Sequence, residues 1–531
     1  MLSYADLRSF LTLGGRISIT SLSTNGFLLK HLVACLPLLI ITRWDKDNMT
    51  IETPILITFV GYLVLMMGIG FWAYRATDTV DDYILGGRKM GPAVTALSVG
   101  ASDMSGWLLL GLPGAVYLGG LGEAWIGIGL VVGAWLNWLF VAKRLRIYTQ
   151  LADNALTLPD FFEKRFHDKQ GYLKLVSAVT ILVFFTFYAS SGMVGGAILF
   201  EKVFGLDYTV ALVIGSAIIV GYTFIGGFFA VSWTDFFQGC LMLIALLIIP
   251  FAVFSHPESH AGIESIDPAM LALISDKTTV IGLLSLLAWG LGYFGQPHIL
   301  SRFMAIGTAD ALPLSRRIAM SWMMLSLIGA LATGLAGSLY FANQPLANAE
   351  TVFIHLAQAA FNPWIGGLLI AAILSAIMST IDSQLLVCSS VITEDFYRKW
   401  LRPQADDREL MMVGRMGVLA IAVIAGIIAL NPESSVLSLV SYAWAGFGAA
   451  FGPVVILSLF WKQYSRNGAI ATIIVGALTV VIWKQLTGGI FDLYEILPGF
   501  VFAIIAGVVV SKMSRPAEAI TAEFEQFKSA L

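Results

Sequence analysis

The chain consists mostly of long apolar segments that follow one another from residue 54 to residue 513. A helix needs about 20 consecutive apolar residues to cross a bilayer, and in lipid only helices and closed barrels satisfy their own backbone polar groups. Charged residues make up only 12% of the 531, about half the share in a soluble chain. We therefore predict an all-α polytopic membrane protein. Its transmembrane helices should number about thirteen, near residues 54–74, 91–118, 123–145, 173–202, 207–226, 232–255, 279–305, 315–342, 364–396, 411–430, 436–460, 467–487 and 496–513.

Lysine and arginine follow an alternating pattern between these segments. One side of the predicted membrane carries Arg75, Arg88, Lys89, Lys143, Arg144, Arg146, Lys164, Arg165, Lys169, Lys174, Arg302, Arg316, Arg317, Arg398, Lys399, Arg402, Arg408, Lys462, Arg466, Lys512 and Arg515. The other side carries only Lys202, Lys277 and Lys484. Because positive loops stay in the cytoplasm, this asymmetry predicts an amino terminus outside and a carboxy terminus inside.

The two ends of the chain differ from the rest. Residues 1–48 contain only a short apolar run with flanking positive charges, whereas Met49 leads directly into the first good span. We interpret 1–48 as an amino-terminal extension that could come from an over-long gene prediction, with the transporter domain at 49–513. Residues 514–531 are polar and predict a short cytoplasmic helix or tail.

An aspartate lies near the middle of the second apolar segment. Asp103 sits in the run ASDMSG, within the apolar stretch 91–120. A carboxylate at bilayer depth is costly and usually marks an ion or substrate pathway. The flanking serines and glycine favour an interrupted helix, whose free backbone groups can serve as ligands. The alternative is a buried aspartate that caps a kink.

A second interrupted helix is predicted at the seventh segment, where WGLGYFGQP places three glycines and a proline within nine residues. These residues weaken a helix centre, although a simple proline kink is the alternative. The two interrupted segments are the second and the seventh, so each opens a unit of five helices. Five is odd, so the second unit is inverted, and paired broken helices indicate a secondary transporter's site. The predicted repeats span 91–255 and 279–460, with an extra helix at 54–74 and two last helices within 467–513.

Hydroxyl groups cluster on the ninth segment. In SAIMSTIDS, residues 376, 379, 380 and 383 share one helical face. Ser379 and Thr380, together with carbonyls freed at the second segment, could supply the oxygen ligands that a small hard cation such as sodium requires. Alternatively the hydroxyls bond their own helix. Asp235 and Asp382 lie near span ends, where either could be a gate or exit-path ligand, or a helix cap or loop residue.

The substrate site is predicted beside the first break. The amides after Ser105 and Gly106 start a new half-helix, whose positive dipole end suits a carboxylate. Tyr188, Trp289 and Tyr293 could close over a small amphiphilic carboxylate, although such residues often only pack. The described motifs include no evident nucleophile and no GxxxxGK[ST] run, so we predict an ion-coupled transporter rather than an enzyme or an ATP-driven pump.

From Met49 to Met513 the chain resembles the sodium/solute symporter family, and within it the sodium/proline symporter branch. The resemblance is carried, in order, by ASDMSGWLLLGLPGAVYLGG, GGFFAVSWTDFFQG, WGLGYFGQPHILSRFMA and AIMSTIDSQLLVCSSVITEDFYRKW. It implies a LeuT-like 5+5 inverted repeat with one extra amino-terminal helix, and residues 1–48 have no counterpart in it. It implies sodium as the coupling ion, held by the carbonyls of Ala101, Met104 and Ala376 and the hydroxyls of Ser379 and Thr380.

The resemblance also implies roles for other residues. Asp103 would support the unwound segment and coupling, and Asp235 matches a carboxylate implicated in sodium-dependent function. The positions that shape the proline site match Ser105, Gly106, Tyr188, Trp289, Tyr293 and Pro297.

The function that follows is sodium-coupled uptake of L-proline across a cell inner membrane. No cofactor besides the ion, no nucleic acid and no obligatory protein partner is expected. The alternatives are a sodium symporter of another small amino acid or monocarboxylate, or a transporter-like membrane sensor.

Overall fold

The computed structural model describes residues 53–74, 80–223, 227–255, 267–276 and 278–531. The predicted extension at 1–48, the proposed start at Met49, Arg75 and Lys277 lie outside the described residues. Within the described ranges the secondary structure is helical throughout, and the pairing of Met90 with Ile306 is a single parallel bridge without a strand. The prediction of an all-α protein is confirmed.

The first half of the described chain forms ten α-helices, numbered here in chain order. They are α1 (Thr53–Tyr74), α2 (Val80–Leu85), α3 (Pro92–Asp103), α4 (Gly111–Gly119), α5 (Ala124–Leu136), α6 (Ala142–Leu151), α7 (Leu158–Arg165), α8 (Tyr172–Phe204), α9 (Tyr208–Thr223) and α10 (Phe228–Phe254). Short 3₁₀ turns lie at Gly86–Arg88, Gly106–Leu108 and Gly120–Glu123, and a π-helical turn at Asn137–Val141 joins α5 to α6.

The second half of the described chain adds ten more. They are α11 (Val280–Ala288), α12 (Pro297–Ala305), α13 (Leu312–Tyr340), α14 (Val352–Ala360), α15 (Pro363–Ser390), α16 (Asp407–Ile428), α17 (Val436–Phe460), α18 (Arg466–Trp483), α19 (Ile496–Met513) and α20 (Glu518–Ser529). A π-helical stretch at Val391–Leu401 continues α15, and 3₁₀ turns lie at Pro268–Leu271, Trp289–Gly295, Ala309–Ala311, Ala349–Thr351 and Gly489–Asp492.

These helices fall at or near all the predicted apolar segments. Among the described residues, ten helical stretches are long and apolar enough to cross a membrane, and the bent pair Val280–Gly295 and Pro297–Ala305 makes an eleventh. The other two predicted spans fall on shorter helices: α9 has 16 residues, and α3 has 12 before it breaks. The chain is therefore an integral membrane protein, while the number thirteen stays a prediction.

Burial separates an inner from an outer set of helices. The apolar windows of α15 and α17 are 83% buried, whereas those of α1 and α16 are only 28% buried. Large apolar side chains such as Phe251 and Val64 stand exposed on outer faces. Exposed apolar surface on this scale is unfavourable in water and suits contact with lipid. The enclosed α15 packs against α3, α8 and α10, so it lies where a site shared by several helices can form.

Both predicted interruptions are present. The helix of α3 ends at Asp103, and the chain resumes in the 3₁₀ turn Gly106–Leu108 before α4 begins. Likewise α11 passes into the 3₁₀ turn Trp289–Gly295, and α12 begins at Pro297 after a bend of 45°. Proline suits the first turn of α12 because its missing N–H is not needed there. Each break leaves backbone groups available in the middle of an apolar segment.

A glycine seam, formed by Gly129, Gly133 and Gly290, brings α5 into backbone contact with the second broken helix. A methyl group on Gly133 would lie 2.0 Å from the carbonyl oxygen of Gly290, and one on Gly290 would lie 2.2 Å from that of Gly129. No side chain fits at such distances. The seam therefore depends on glycine for close approach.

The carboxy-terminal helix α20 docks on the rest of the protein instead of extending as a free tail. Phe524 and Phe527 are buried, and the ring of Phe527 stacks on Tyr148 with centroids 4.1 Å apart. Glu523 pairs with His167 at 2.9 Å, and the Lys143 ammonium group donates to the terminal Leu531 oxygen at 2.7 Å. Hydrophobic burial and ion pairs together fix α20 against α6 and the residues around α7.

Candidate functional site

The first break lies directly against the enclosed helix α15. The Ser379 hydroxyl donates to the Ala101 carbonyl at 2.9 Å and also lies 3.1 Å from the Ala376 carbonyl. The Thr380 hydroxyl reaches the same Ala101 oxygen at 3.5 Å. Four of the five predicted sodium ligands therefore meet at one point, supplied by the end of α3 and one face of α15. All four residues are buried.

The fifth predicted ligand, Met104, is the first residue after α3. Its N–H donates to the Gly100 carbonyl at 3.0 Å and closes the helix. Its side chain is buried. Among the described residues no group of three or more histidine, cysteine or acidic side chains could hold a metal ion. A cation at this point would accordingly be held by hydroxyl and carbonyl oxygens, which are the ligands that hard cations favour.

Asp103 joins the two broken helices. Its carboxylate accepts a short hydrogen bond from the Tyr293 hydroxyl, and its backbone carbonyl accepts one from the Tyr188 hydroxyl at 3.3 Å. All three residues are buried. The structure thus brings together a predicted coupling residue and two predicted substrate residues.

Ser105 and Gly106 form the turn that follows. The Ser105 hydroxyl accepts a hydrogen bond from the Trp107 N–H at 3.4 Å, as the cap of the turn Gly106–Leu108. A methyl group on Gly106 would lie 3.0 Å from the Ile377 side chain of α15. Gly106 therefore lets the unwound segment approach the helix that carries Ser379.

Aromatic rings surround the second break. The Trp289 ring lies 6.0 Å from that of Trp107 and stacks on Tyr494 at 5.5 Å between centroids. Trp444 packs edge-on against Tyr293 at 5.2 Å, and its indole N–H donates to the Trp289 carbonyl at 2.7 Å. The predicted residues Trp289 and Tyr293 thus share an aromatic wall near Asp103. Hydrogen bonding of the Trp289 carbonyl by Trp444 holds this wall in place.

Sequence reasoning missed Trp444 and also Asn137, whose amide donates to the Tyr293 carbonyl at 2.9 Å. Asn137 is the one polar residue in the run GLVVGAWLNWLFVA, and a lone polar residue in an apolar span is the signal that could have identified it. Trp444 lies among small residues in YAWAGFG and carries no comparable signal. Its position depends on packing against the bent helix.

Pro297 lies at the opposite side of the break and lines a narrow cavity of about 20 Å³ together with Arg302 and Ser383. Such a volume holds about one water molecule. Pro297 is buried at the first turn of α12.

Asp235 lies outside the ion cluster and forms a buried ion pair. Its carboxylate lies 3.0 Å from the Arg302 guanidinium and accepts from the Ser98 hydroxyl at 2.6 Å. Arg302 also donates to the Ser98 hydroxyl, the His298 carbonyl and the Ser383 hydroxyl. The prediction that Arg302 is a loop charge is wrong, because Arg302 lies on α12 and is 1% exposed. A buried guanidinium requires such partners because an unpaired buried charge is costly.

Asp382 lies on α15 and is fully buried. One of its carboxylate oxygens accepts a short hydrogen bond from the Thr223 hydroxyl of α9. It is therefore neither a helix cap nor a loop residue, since it sits inside a helix of 28 residues. Arg302 donates both to Asp235 and to Ser383, the residue that follows Asp382.

The chain matches known proteins over most of its length. Residues 83–476 match the model of the sodium:solute symporter family. The sodium/proline symporter of Escherichia coli (strain K12) is 53% identical over 490 residues, which is 90% of this chain and 97% of that protein. The high-affinity proline transporter PutP of Bacillus subtilis (strain 168) is 51% identical, over 88% of this chain and all of that protein.

Solved structures share the fold. A Na⁺-coupled sialic acid symporter in a substrate-bound outward-open state matches with a TM-score of 0.75 and 19% identity, over 88% of this chain and 100% of that one. Mhp1, a transporter of the nucleobase-cation-symport-1 family, matches with a TM-score of 0.52 and 13% identity, over 83% and 98%. The matches in sequence show that the chain belongs to the sodium:solute symporter family, a family of transporters and not of enzymes.

Proposed function

We propose that this chain is a sodium-coupled symporter that takes up L-proline by alternating access. The observation that carries the proposal is the convergence of the Ser379 and Thr380 hydroxyls on the Ala101 carbonyl, at the break of α3. Proline as the solute is supported by relatives that are about half identical over nearly their whole length and are named as proline transporters.

Sodium would bind between the end of α3 and α15. The proposed ligands are the carbonyls of Ala101, Met104 and Ala376 and the hydroxyls of Ser379 and Thr380. Ala101 and Met104 lie at the end of α3, and the other three residues lie on α15, so bound sodium would tie α3 to α15. The proposal gains support from the short distances between the hydroxyls and the carbonyls, because one cation could replace those hydrogen bonds with several oxygen contacts.

Proline would bind at the adjoining turn. The amides that follow Ser105 and Gly106 would receive its carboxylate at the positive end of the helix that resumes there. Tyr188, Trp289 and Tyr293 would enclose its ring, and Pro297 would shape the far side. The proposal is supported by the hydrogen bonds from Tyr188 and Tyr293 to Asp103, because they connect proposed solute residues to the helix that carries Ala101.

The three carboxylates would have separate tasks. Asp103 would couple the sites because it binds both broken helices. Asp235 and Asp382 would act in gating or ion exit, since both are buried and each binds a residue of another helix. Their partners Arg302 and Thr223 come from different helices, so movement of those helices would change both contacts.

The wider architecture of this proposal is a LeuT-like pair of inverted repeats, at 91–255 and 279–460, preceded by the helix at 54–74. The amino terminus would lie outside and the tail at 514–531 in the cytoplasm of a cell whose inner membrane holds the protein. An inward sodium gradient and a negative interior would drive uptake. The potential supplies about 2.3 kcal/mol per charge per 100 mV.

The deciding experiment is uptake of labelled L-proline into proteoliposomes with and without an inward sodium gradient. Accumulation that requires the gradient is the expected result. Uptake that does not respond to sodium would contradict the ion site. If folded protein takes up no proline, competition among a panel of amino acids and monocarboxylates would identify another solute and overturn the proline assignment.

A further inference from the structure

Three chain segments meet in a buried cluster of charges away from the candidate ion and substrate site. Lys174, near the start of α8, has its ammonium group 3.2 Å from Asp160, 2.9 Å from Glu163 and 3.3 Å from Asp395. The side chains of Lys174 and Asp395 are 7% and 0% exposed. Asp160 and Glu163 lie on α7, whereas Asp395 lies on the stretch Val391–Leu401 that continues α15. One lysine thus joins three segments.

Two further lysines complete the cluster. Lys164 pairs with Asp160 at 2.9 Å, and Lys399 pairs with Glu163. The cluster then holds three ammonium groups and three carboxylates, so its charges balance. We call it the clasp, and its members are Asp160, Glu163, Lys164, Lys174, Asp395 and Lys399.

Two cavities adjoin beside the clasp. The narrow cavity that is lined by Pro297 and Arg302 is also lined by Leu156 and Thr157. A second cavity, of about 280 Å³, begins at the same two residues and is lined by the polar side chains of Asp153, Asn154, Asp160, Lys164, Glu394 and Arg398. The Thr157 hydroxyl donates to Asp395 at 3.0 Å. Thr157, which lines both cavities, is therefore bonded to the clasp.

We propose that the clasp is the inner barrier of the transporter, and that the two cavities are the closed and open parts of one exit route for solute and ion. The route runs from Pro297 past Arg302 and Thr157 into the polar cavity. It opens when α7 moves away from α8 and from Val391–Leu401. The identity of what passes rests on the proposed function, whereas the barrier itself does not.

Charge pairs suit a barrier that must open repeatedly. When the segments are together, the carboxylates and ammonium groups attract one another strongly because little water separates them. When the segments part, water hydrates the same groups, and this hydration offsets much of the lost attraction. An apolar plug would instead expose apolar surface on opening, which water does not solvate well. The polar wall of the larger cavity also suits a cation and a zwitterionic solute.

The test is the access of a membrane-impermeant maleimide to the narrow cavity. Ser390 lines that cavity and is 4% exposed, so Ser390→Cys reports on it in a chain whose Cys35, Cys240 and Cys388 are replaced by serine. The maleimide is applied to the cytoplasmic side of inside-out vesicles, without sodium or proline. We expect Lys174→Gln to speed labelling by at least about tenfold, because it removes the ammonium group that joins the three segments and leaves the buried Asp395 carboxylate without its ion-pair partner. Lys169→Gln removes an exposed charge nearby and should leave the rate unchanged.

A second set of variants, in which the charges of Lys174 and Asp395 are exchanged, distinguishes an opened barrier from a loss of folding. Asp395→Asn should also speed labelling, and the exchanged pair Lys174→Asp with Asp395→Lys should return the rate toward that of the parent. The thermal stability of each variant is measured in detergent, and labelling rates are compared only among variants whose stability matches that of the parent. Labelling at the parental rate in folded Lys174→Gln and Asp395→Asn would overturn the proposal. The clasp would then only stabilise the fold. Because labelling requires no transport, faster labelling in a protein that takes up no proline would refute the solute and keep the barrier.

Discussion

The hydroxyl of Tyr293 donates a hydrogen bond to the carboxylate of Asp103, across 190 residues of sequence. Each residue belongs to a different broken helix, so this single contact joins the two interruptions. A hydrogen bond to a charged group contributes about 1.5–3 kcal/mol. It is therefore strong enough to influence how the two breaks move relative to each other.

Replacing Tyr293 with phenylalanine tests this link. The variant removes only the hydroxyl, so the ring remains against Trp444 while Asp103 loses a donor. We expect the sodium concentration for half-maximal proline uptake to rise about tenfold, which corresponds to about 1.4 kcal/mol. Tyr172→Phe removes a hydroxyl from a largely exposed ring and serves as the control. An unchanged sodium requirement in Tyr293→Phe would show that the link does not serve coupling.

Thr380→Val tests the proposed ion ligands. Valine keeps the shape of threonine but offers no oxygen, so sodium would lose one ligand while the proline site stays intact. The expected result is a large rise in the sodium requirement with little change in proline affinity at saturating sodium, both from uptake measurements. The buried Thr333 donates to the Gly329 carbonyl of its own helix at 2.8 Å, so Thr333→Val is the matched control. An equal effect at both positions would remove Thr380 from the ion site.

The pair of Asp235 and Arg302 tests buried electrostatics. Asp235→Asn leaves the Arg302 charge buried without its counter-ion, and we expect a loss of about 3–5 kcal/mol in unfolding free energy. Adding Arg302→Met removes the orphaned charge and should recover much of that loss. Thermal unfolding in detergent measures both. A double variant less stable than Asp235→Asn would mean that Arg302 stabilises the fold through its other partners.

Acid should weaken the attachment of α7. Burial alone would raise the pKa of Asp160, but the ammonium groups of Lys174 and Lys164 outweigh burial and hold it below its ordinary value of 3.8. A lowered pKa contributes stability that is present above the unfolded value and is lost as the pH falls through the folded value. Thermal stability should therefore drop below about pH 4, and this acid-sensitive part should shrink in Asp160→Asn. The exposed Asp310→Asn should leave it unchanged, and the same pH profile in all three proteins would contradict the assignment.

Phe527→Ala should release α20. The change deletes the ring that stacks on Tyr148, and loss of a buried phenylalanine typically costs about 3–5 kcal/mol. We expect amide protection of residues 518–529 to fall about a hundredfold by hydrogen exchange. Ser529→Ala, near the end of the same helix, should leave protection intact. If the Phe527 variant retains parental protection, the polar contacts of Glu523 and Leu531 hold the helix instead.

Much of the fold followed from the sequence because its physical causes are local. Apolar runs, glycines and Pro297 act on their own segments, and so the spans and both breaks lay near the predicted residues. The sequence also predicted that Ser379 and Thr380 lie on one face of their helix, because a period of 3.6 residues per turn determines which positions share a face.

Contacts between distant segments were not accessible in this way. In the sequence Arg302 looks like a charged loop residue at the end of a span. Only the packing of α12 against α3 and α10 shows that Arg302 is buried beside Asp235. Trp444 and Lys174 acquire their partners only from the arrangement of whole helices. A positive charge near a span end therefore says little about whether it meets water or a carboxylate.

The glycine seam between α5 and the second broken helix has a mechanical consequence. Where the side chains of two helices interlock, rotation of one helix is resisted, because the side chains must leave the grooves of the other helix and change rotamers. Gly129, Gly133 and Gly290 present smooth backbone surfaces to each other, so we expect the segment Trp289–Gly295 to turn against α5 with little friction. The seam would then allow the broken helix that carries the aromatic wall to rotate against α5 without rearrangement of side chains.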